Sequence, residues 1–206
     1  MPQEYIEKLK KALKGRVAVF IDAANLEQSV RDMWVNPKDI PNELKHHTVD
    51  ELYWAVDYKK LREFFSSITP ELKSMRFYTP DFESESHFKF LYFLRRGLHF
   101  LLNTKPLKKY GDHTDKSPHR KANFDVEIAV DATFSLDKFD TLILFSGDSD
   151  FAYLLRFLRG QGKIAIVFSR SGHVAKELPP ASNHYFDIVD FRDDFLKVSV
   201  KAKSPA

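Results

Sequence analysis

The sequence predicts an α/β fold, a three-layer α/β/α sandwich with a mostly parallel sheet. Two apolar runs carry this prediction: residues 17–21 (VAVFI) and residues 142–145 (LILF), each followed by carboxylates. Continuous runs of Val, Ile, Leu and Phe are typical of parallel strands that are buried on both faces. Because strand-like and helix-like segments alternate about five times, we expect parallel strands joined by right-handed crossovers.

The elements follow in order along the chain. Helices are predicted over 4–14, 25–33, 57–67, 84–97, 123–136 and 150–160, and strands over 16–21, 72–78, 98–104, 141–145, 163–168 and 185–189. Gly15 and Gly97 end the first and fourth helices, and Asp57 is expected to cap the third. Residues 35–56, with two prolines and no clear period, are expected to be irregular.

Composition predicts one globular domain. The chain has 206 residues, 43% of them hydrophobic, and no linker rich in Pro, Gly or Ser, so we expect a single domain over 16–198, with a helical extension over 1–15 and a tail over 199–206. The absence of cysteine excludes disulfides, thiolate metal sites and thiol nucleophiles. No apolar run approaches the length of a membrane span, so we expect a soluble, cytoplasmic protein.

Acidic residues follow the predicted strands. Asp22 comes after the first strand, Asp148 and Asp150 come after the fourth, and Asp125 lies in the first turn of a helix. Each acid taken alone is also explained as a helix cap. The carboxyl ends of parallel strands meet at one edge of the sheet, however, and carboxylates that are close together repel one another unless a cation is present. The pattern therefore predicts a site for Mg²⁺ or Mn²⁺, which prefer oxygen ligands.

Asp131 is a weaker candidate on the same helix as Asp125. It lies six residues further on, about one and two-thirds helical turns, and so projects from another side of the helix. Glu127 also faces elsewhere.

Three segments in this order resemble the motifs of the NYN domain, in its LabA-like branch: residues 20–26 (FIDAANL), 121–132 (KANFDVEIAVDA) and 145–151 (FSGDSDF). The resemblance covers roughly residues 16–189. That family is similar to PIN-domain nucleases, so the resemblance implies a PIN-like, Rossmann-like fold and the activity of a metal-dependent ribonuclease.

The resemblance also implies roles for individual residues. Asp22, Asp125 and Asp148 would bind the metal with Asp150 as a fourth acid, and Asn25 would be their polar companion. Lys121 would contact a phosphate or a carboxylate. Two departures from the family pattern are Ala23 and Ala122, where glycine is common, and a third is Asn183, where an acid is common; none removes a predicted ligand.

A basic segment precedes the helix of Asp125. The net charge of the chain is only +3, so a basic surface must be local. Residues 105–121 carry side chains that could hold a phosphate backbone or stack on an unpaired base, namely Lys105, Lys108, Lys109, Tyr110, Lys116 and Arg120. Such a segment can equally be a solvated loop, and its predicted position beside the acids favours contact with nucleic acid.

These observations predict an RNA substrate, most simply a single strand, with single-stranded DNA as an open alternative because no motif reads a 2′-hydroxyl. A non-catalytic PIN-like module that binds RNA or protein is the second interpretation. A homo-oligomer is compatible with the sequence.

Overall fold

The computed structural model describes residues 2–106, 108–110, 119–121 and 123–201, with side chains described over 4–106 and 123–201. The strands are β1 (Arg16–Asp22), β2 (Leu52–Val56), β3 (Glu71–Asp81), β4 (Leu101–Pro106), β5 (Lys108–Tyr110), β6 (His119–Lys121), β7 (Thr141–Phe145), β8 (Ile164–Ser169), β9 (His184–Asp187) and β10 (Leu196–Val200). The helices are α1 (Pro2–Ala12), α2 (Ala23–Arg31), α3 (Tyr58–Ile68), α4 (Glu85–Tyr92), α5 (Asp125–Phe134), α6 (Ala152–Gly160), α7 (Leu178–Ala181) and α8 (Arg192–Phe195).

Six parallel strands form the central sheet, in the order β4-β3-β1-β7-β8-β9. From β1 the chain builds outward through β3 and β4, then returns to the other side of β1 and builds outward again through β7, β8 and β9. The order of the strands therefore reverses between β1 and β7. In open α/β sheets the carboxyl ends of strands at such a switch point form a crevice.

Alternate residues of each strand face two separate hydrophobic layers. Val17, Val19 and Ile21 of β1 pack with α1, α2 and α3, whereas Ala18 and Phe20 pack with α5 and α6. Helices therefore cover both faces of the sheet, which confirms the predicted three-layer α/β/α sandwich. The strands are apolar on both faces because both faces are buried.

Phenylalanine fills much of the first layer. The rings of Phe145 and Phe168 stack with centroids 4.9 Å apart, and Phe65 of α3 meets both rings edge-on. The predicted N-terminal helix contributes to the same layer, since Leu9 and Leu13 are buried within it.

Four strands were not predicted: β2, β10 and the short pair of β5 and β6. β2 lies within the stretch expected to be irregular, and it pairs with β10 in a separate antiparallel sheet. Leu52, Trp54 and Val56 are buried while the residues between them are half-buried, which is the period-two pattern of a strand with one face on the core. The prolines upstream favoured an irregular segment, so this short alternation of buried and half-buried residues was not recognised as a strand.

Several predicted boundaries also shift. α2 begins at Ala23, two residues early, because Asp22 caps it. The helix predicted over 84–97 is α4 followed by a π-helical turn over Phe93–Gly97, and the next strand begins at Leu101 because His99 adopts a positive φ of 57°. Among the described residues, no helix is long and apolar enough to cross a bilayer.

Candidate metal centre

Asp22 ends β1 and caps α2. One of its carboxyl oxygens accepts a hydrogen bond from the backbone N–H of Asn25 at 3.3 Å, and the other accepts one from the Ser146 hydroxyl at 3.2 Å. Burial, and then the nearby charges of Asp125 and Asp148, raise the pKa of Asp22 to about 6, against the two hydrogen bonds that lower it. The carboxylate form of Asp22 is therefore held at a cost in free energy that a bound cation would reduce.

Asn25 joins the turn after β1 to the turn after β7. Its side-chain oxygen accepts a hydrogen bond of 2.8 Å from the backbone N–H of Gly147. A Cβ atom on Gly147 would lie 2.2 Å from the carbonyl oxygen of His173 and 2.7 Å from the hydroxyl of Ser169. Glycine is therefore required by the close approach of the loop after β8, which adds a third wall beside the two turns.

Asp148 and Asp150 flank the first residue of a 3₁₀ turn over Ser149–Phe151. Asp148 caps this turn, because its carboxyl oxygen accepts a hydrogen bond of 3.1 Å from the backbone N–H of Asp150. Asp148 is half-buried and Asp150 is exposed. The turn directs both carboxylates away from the sheet rather than into the core.

Asp125 is the first residue of α5. Its backbone N–H donates a hydrogen bond of 2.9 Å to the side-chain oxygen of Asn123, and the preceding Phe124 is buried against Tyr78. Negative charge is favourable at this end of a helix, where backbone N–H groups point outward.

The structure brings the acids together. Oxygen atoms of Asp125, Asp148 and Asp150 all lie within 4.8 Å of one another. Asp22, Asp125 and Asp148 also line one cleft of about 310 Å³ at the carboxyl ends of β1 and β7. These donors are all carboxylate oxygens, and their spacing fits a hard divalent cation such as Mg²⁺ or Mn²⁺.

Lys105 lies at the margin of this arrangement. Its ammonium group is 2.7 Å from a carboxyl oxygen of Glu127, contacts the carbonyl oxygen of Asn123, and lies 4.5 Å from the centre of the Phe124 ring. These contacts fasten the start of α5 to β4.

The other candidates for contact with nucleic acid have side chains outside the described residues: Lys108, Lys109, Tyr110, Lys116, Arg120 and Lys121. The backbone of β5 and β6 forms an antiparallel pair in which Lys121 is opposite Lys108.

Asp131 lies elsewhere and has a structural role. One of its carboxyl oxygens accepts hydrogen bonds from the hydroxyl of Tyr78 at 2.9 Å, the amide of Asn103 at 3.0 Å and the guanidinium of Arg76 at 3.1 Å. It thus joins α5 to β3 and β4, on another side of the helix from Asp125.

Two cleft residues were missed by sequence reasoning. Gln28 and His173 both line the cleft. Gln28 lies one helical turn after Ala24, so the spacing of α2 could have indicated it. Nothing in the sequence marks His173, because only the folding of the loop after β8 brings it to the cleft.

Comparison with known proteins agrees with this arrangement. The family profile of the NYN domain matches residues 16–189. This chain belongs to the NYN domain family. The match contains all four clustered acids, and it spans the whole six-stranded sheet of this NYN domain.

Two relatives resemble the protein in sequence or in fold. The "Low amplitude and bright protein LabA" of Synechococcus elongatus is 34% identical over 97 residues, which cover 47% of this chain and 52% of that protein. The chain thus spans about half the length of this curated relative. A protein of unknown function from Vibrio parahaemolyticus has a similar crystal structure, with a TM-score of 0.64 and 22% identity over 89% of this chain and 96% of that one. This second likeness supports the fold alone.

Proposed function

We propose that this NYN domain is a metal-dependent ribonuclease that hydrolyses phosphodiester bonds of single-stranded RNA. The observation that carries the proposal is the convergence of Asp125, Asp148 and Asp150, whose carboxylate oxygens lie within 4.8 Å of one another at the switch point of the sheet. Asp22 lines the same cleft. Acids from three distant parts of the sequence are thus held close together at this edge of the sheet.

The proposed ion is Mg²⁺ or Mn²⁺, held by Asp125, Asp148 and Asp150 with Asp22 beside them. When bound, such an ion supplies Lewis acidity for phosphodiester hydrolysis and neutralises negative charge on the phosphate. Asn25 positions the site, because its bond to Gly147 fixes the turn after β7 relative to the turn after β1. Asp22, held by the backbone N–H of Asn25 and the hydroxyl of Ser146, would lie beside the ion as a fourth carboxylate.

The proposed path of the RNA crosses the acid cleft toward the hairpin of β5 and β6. His173 and Gln28 form the opposite wall of the cleft. The basic candidates on and around the hairpin would contact the phosphate backbone, with Tyr110 stacking on a base, and Lys121 would reach the phosphate that is cleaved. Lys105 would support this surface from β4 through its contacts with the start of α5.

A cleavage assay tests the proposal. The purified protein is incubated with a generic single-stranded RNA and Mn²⁺, and we expect fragments that disappear when EDTA is added. Asp148→Asn should abolish cleavage, whereas the matched control Asp193→Asn, an acid whose side chain is 80% exposed on α8, should cleave like the wild type.

Other outcomes separate the alternatives. RNA binding without cleavage in Mg²⁺ or Mn²⁺ would favour the non-catalytic module and overturn the nuclease proposal. Cleavage of single-stranded DNA at the same rate would extend the substrate to both nucleic acids. Cleavage by Asp148→Asn at the wild-type rate would show that the acid cluster takes no part in the reaction.

A further inference from the structure

A second cavity lies on the other side of α2 from the acid cluster. Asn25 and Gln28 of this helix face the acid cleft, whereas Glu27 and Arg31 face the second cavity. The cavity has a volume of about 470 Å³ and is enclosed by α2, β2, the start of α3, α4 and β10. We call it the α2–α4 pocket. Its volume lies in the range of small-molecule sites, which is about 300–1,000 Å³.

The floor of the α2–α4 pocket holds a half-buried acid, Glu27. The hydroxyl of Tyr58 donates a hydrogen bond of 2.7 Å to Glu27 Oε1, and Tyr58 itself is only 7% exposed. Among the described residues, Glu27 Oε2 has no hydrogen-bond partner. Burial raises the pKa of Glu27 against the effects of Tyr58, Arg31 and His87. A carboxyl group in such surroundings is costly unless something donates to it.

A second polar atom near Glu27 also lacks a partner. The Nε2 atom of His87 is buried and has no hydrogen bond within the described part of the chain. His87 acts electrostatically on Glu27, although it does not line the pocket itself. Buried polar atoms are nearly always paired, so the Nε2 atom of His87 is an exception beside the pocket, whereas Oε2 of Glu27 is not buried and can accept from a group in the pocket.

The walls of the α2–α4 pocket are aromatic. Tyr53, Tyr58, Phe90 of α4 and Phe93 of the following π-helical turn line it. The rings of Tyr58 and Phe90 pack together with centroids 5.6 Å apart, and Phe93 is 45% exposed. The guanidinium of Arg31 lies 5.6 Å from the centre of the Tyr53 ring. Flat aromatic rings in the lining of a cavity favour a planar ligand.

The rim carries three cations, Arg31, Lys59 and Lys197. The ammonium of Lys59 is 3.9 Å from Glu63 and that of Lys197 is 3.7 Å from Asp57, with side chains 67% and 54% exposed. Exposed pairs at such distances contribute little to stability. These cations are therefore available to an anion such as a phosphate group, although Asp57 also lines the pocket.

From this combination we infer that the α2–α4 pocket binds a nucleoside phosphate. The base stacks on the aromatic lining and donates from its exocyclic amino group to Glu27, while the phosphate meets the cations of the rim. The inference is independent of the proposed nuclease activity, because α2 separates the two sites and no residue is shared between them.

Binding is tested by calorimetry on the full chain in EDTA, with CMP, UMP, GMP, cytidine and ribose 5-phosphate as probes. We expect GMP and CMP to bind, and UMP, which has a carbonyl where CMP has an amino group, to bind about tenfold more weakly than CMP. Cytidine and ribose 5-phosphate should each bind more weakly than CMP, since each lacks one half of the recognised group.

Variants of the lining residues test whether the ligand binds in the α2–α4 pocket. Glu27→Gln should reduce the preference for CMP over UMP, and Lys59→Ala combined with Lys197→Ala should weaken CMP binding about tenfold while leaving cytidine unchanged. The matched control is Lys60→Ala, an exposed neighbour that does not line the pocket, and it should bind like the wild type. Asp148→Asn should also bind CMP normally, which separates this site from the acid cleft.

A 5′-phosphorylated single-stranded RNA hexamer distinguishes a free nucleotide from the end of a strand. Equal binding of the hexamer and CMP means that the pocket accepts a strand terminus, and binding of CMP alone means a free nucleotide; both support the site. The inference is overturned if no nucleotide binds at millimolar concentration, if CMP and UMP bind equally, or if the double lysine variant binds CMP as tightly as the wild type.

Discussion

Replacing Asp22 with asparagine should stabilise the protein in the absence of metal. Burial and the charges of Asp125 and Asp148 raise the pKa of Asp22 to about 6, which is about two pH units above an ordinary aspartate. At about 1.4 kcal/mol per unit, the ionised form costs up to about 3 kcal/mol at pH 7. Asparagine removes the charge, and its amide can still accept from the Asn25 N–H and meet the Ser146 hydroxyl.

We expect a net gain in the free energy of unfolding of about 1–2 kcal/mol, since the new amide will not match both hydrogen bonds ideally. For a chain of this length the gain corresponds to a rise in Tm of about 2–8 °C. The measurement is a pair of thermal and urea unfolding curves in EDTA at pH 7, with Asp193→Asn as a control for the change in net charge.

The pH dependence tests the cause. The pKa of Asp22 is higher in the folded protein than in the unfolded chain, so the folded protein takes up the proton first as the pH falls from about 6 to about 4. Over this range the wild type recovers the free energy that the ionised carboxylate costs at pH 7. The wild type recovers about 2–3 kcal/mol between pH 7 and pH 4, which exceeds the net gain of the variant, so the advantage of Asp22→Asn should disappear by pH 4 and the wild type should be the more stable protein there. An advantage of the same size at pH 4 and pH 7, or a variant that melts below the wild type at pH 7, would refute this reasoning.

Four further changes test the site and its supports. In EDTA, Asp148→Asn should melt at or above the wild-type temperature. Mn²⁺ at a hundred times its dissociation constant should stabilise the wild type by about 2.7 kcal/mol and the variant much less. Equal stabilisation of the two proteins would exclude Asp148 as a ligand. Gly147→Ala should lose about 1–3 kcal/mol in urea unfolding because its Cβ would lie 2.2 Å from a backbone carbonyl, whereas Gly160→Ala, with nothing within 4 Å, should not lose stability. Asp131→Ala leaves three donors without their acceptor and should cost about 2–4 kcal/mol, and unchanged urea unfolding would show that this cluster is unimportant. Replacing Lys108, Lys109 and Lys116 together by alanine should weaken the binding of single-stranded RNA and make its salt dependence shallower. If the triple variant binds RNA like the wild type across a salt titration, the RNA follows another path.

The sequence by itself determined the layers of the fold. The runs over 17–21 and 142–145 are apolar at every position, and only strands covered on both faces require that pattern. Parallel strands in turn place every strand-to-helix turn at one edge, so the proximity of Asp22 and Asp148 followed from topology rather than from local sequence. The motifs around these residues also predicted the family.

Tertiary structure decided what local patterns leave open. β2 and β10 are five residues each and lie 140 residues apart, and each becomes a strand only because the other satisfies its backbone groups. His173 reaches the cleft because Gly147 has no side chain to hold the loop after β8 away. The opposite uses of Asp125 and Asp131 depend on which neighbouring strands face each side of α5, and of these two roles the sequence predicted only that of Asp125.

The α2–α4 pocket is the feature that the sequence alone could least predict. Glu27, Tyr58, Phe93 and Lys197 come from four elements that are spread over most of the chain. Each residue alone fits an ordinary helix or strand surface, because amphipathic elements carry such residues wherever they meet solvent. Burial of Glu27 beside an aromatic wall arises only when those elements pack together, and no spacing along the sequence encodes that contact.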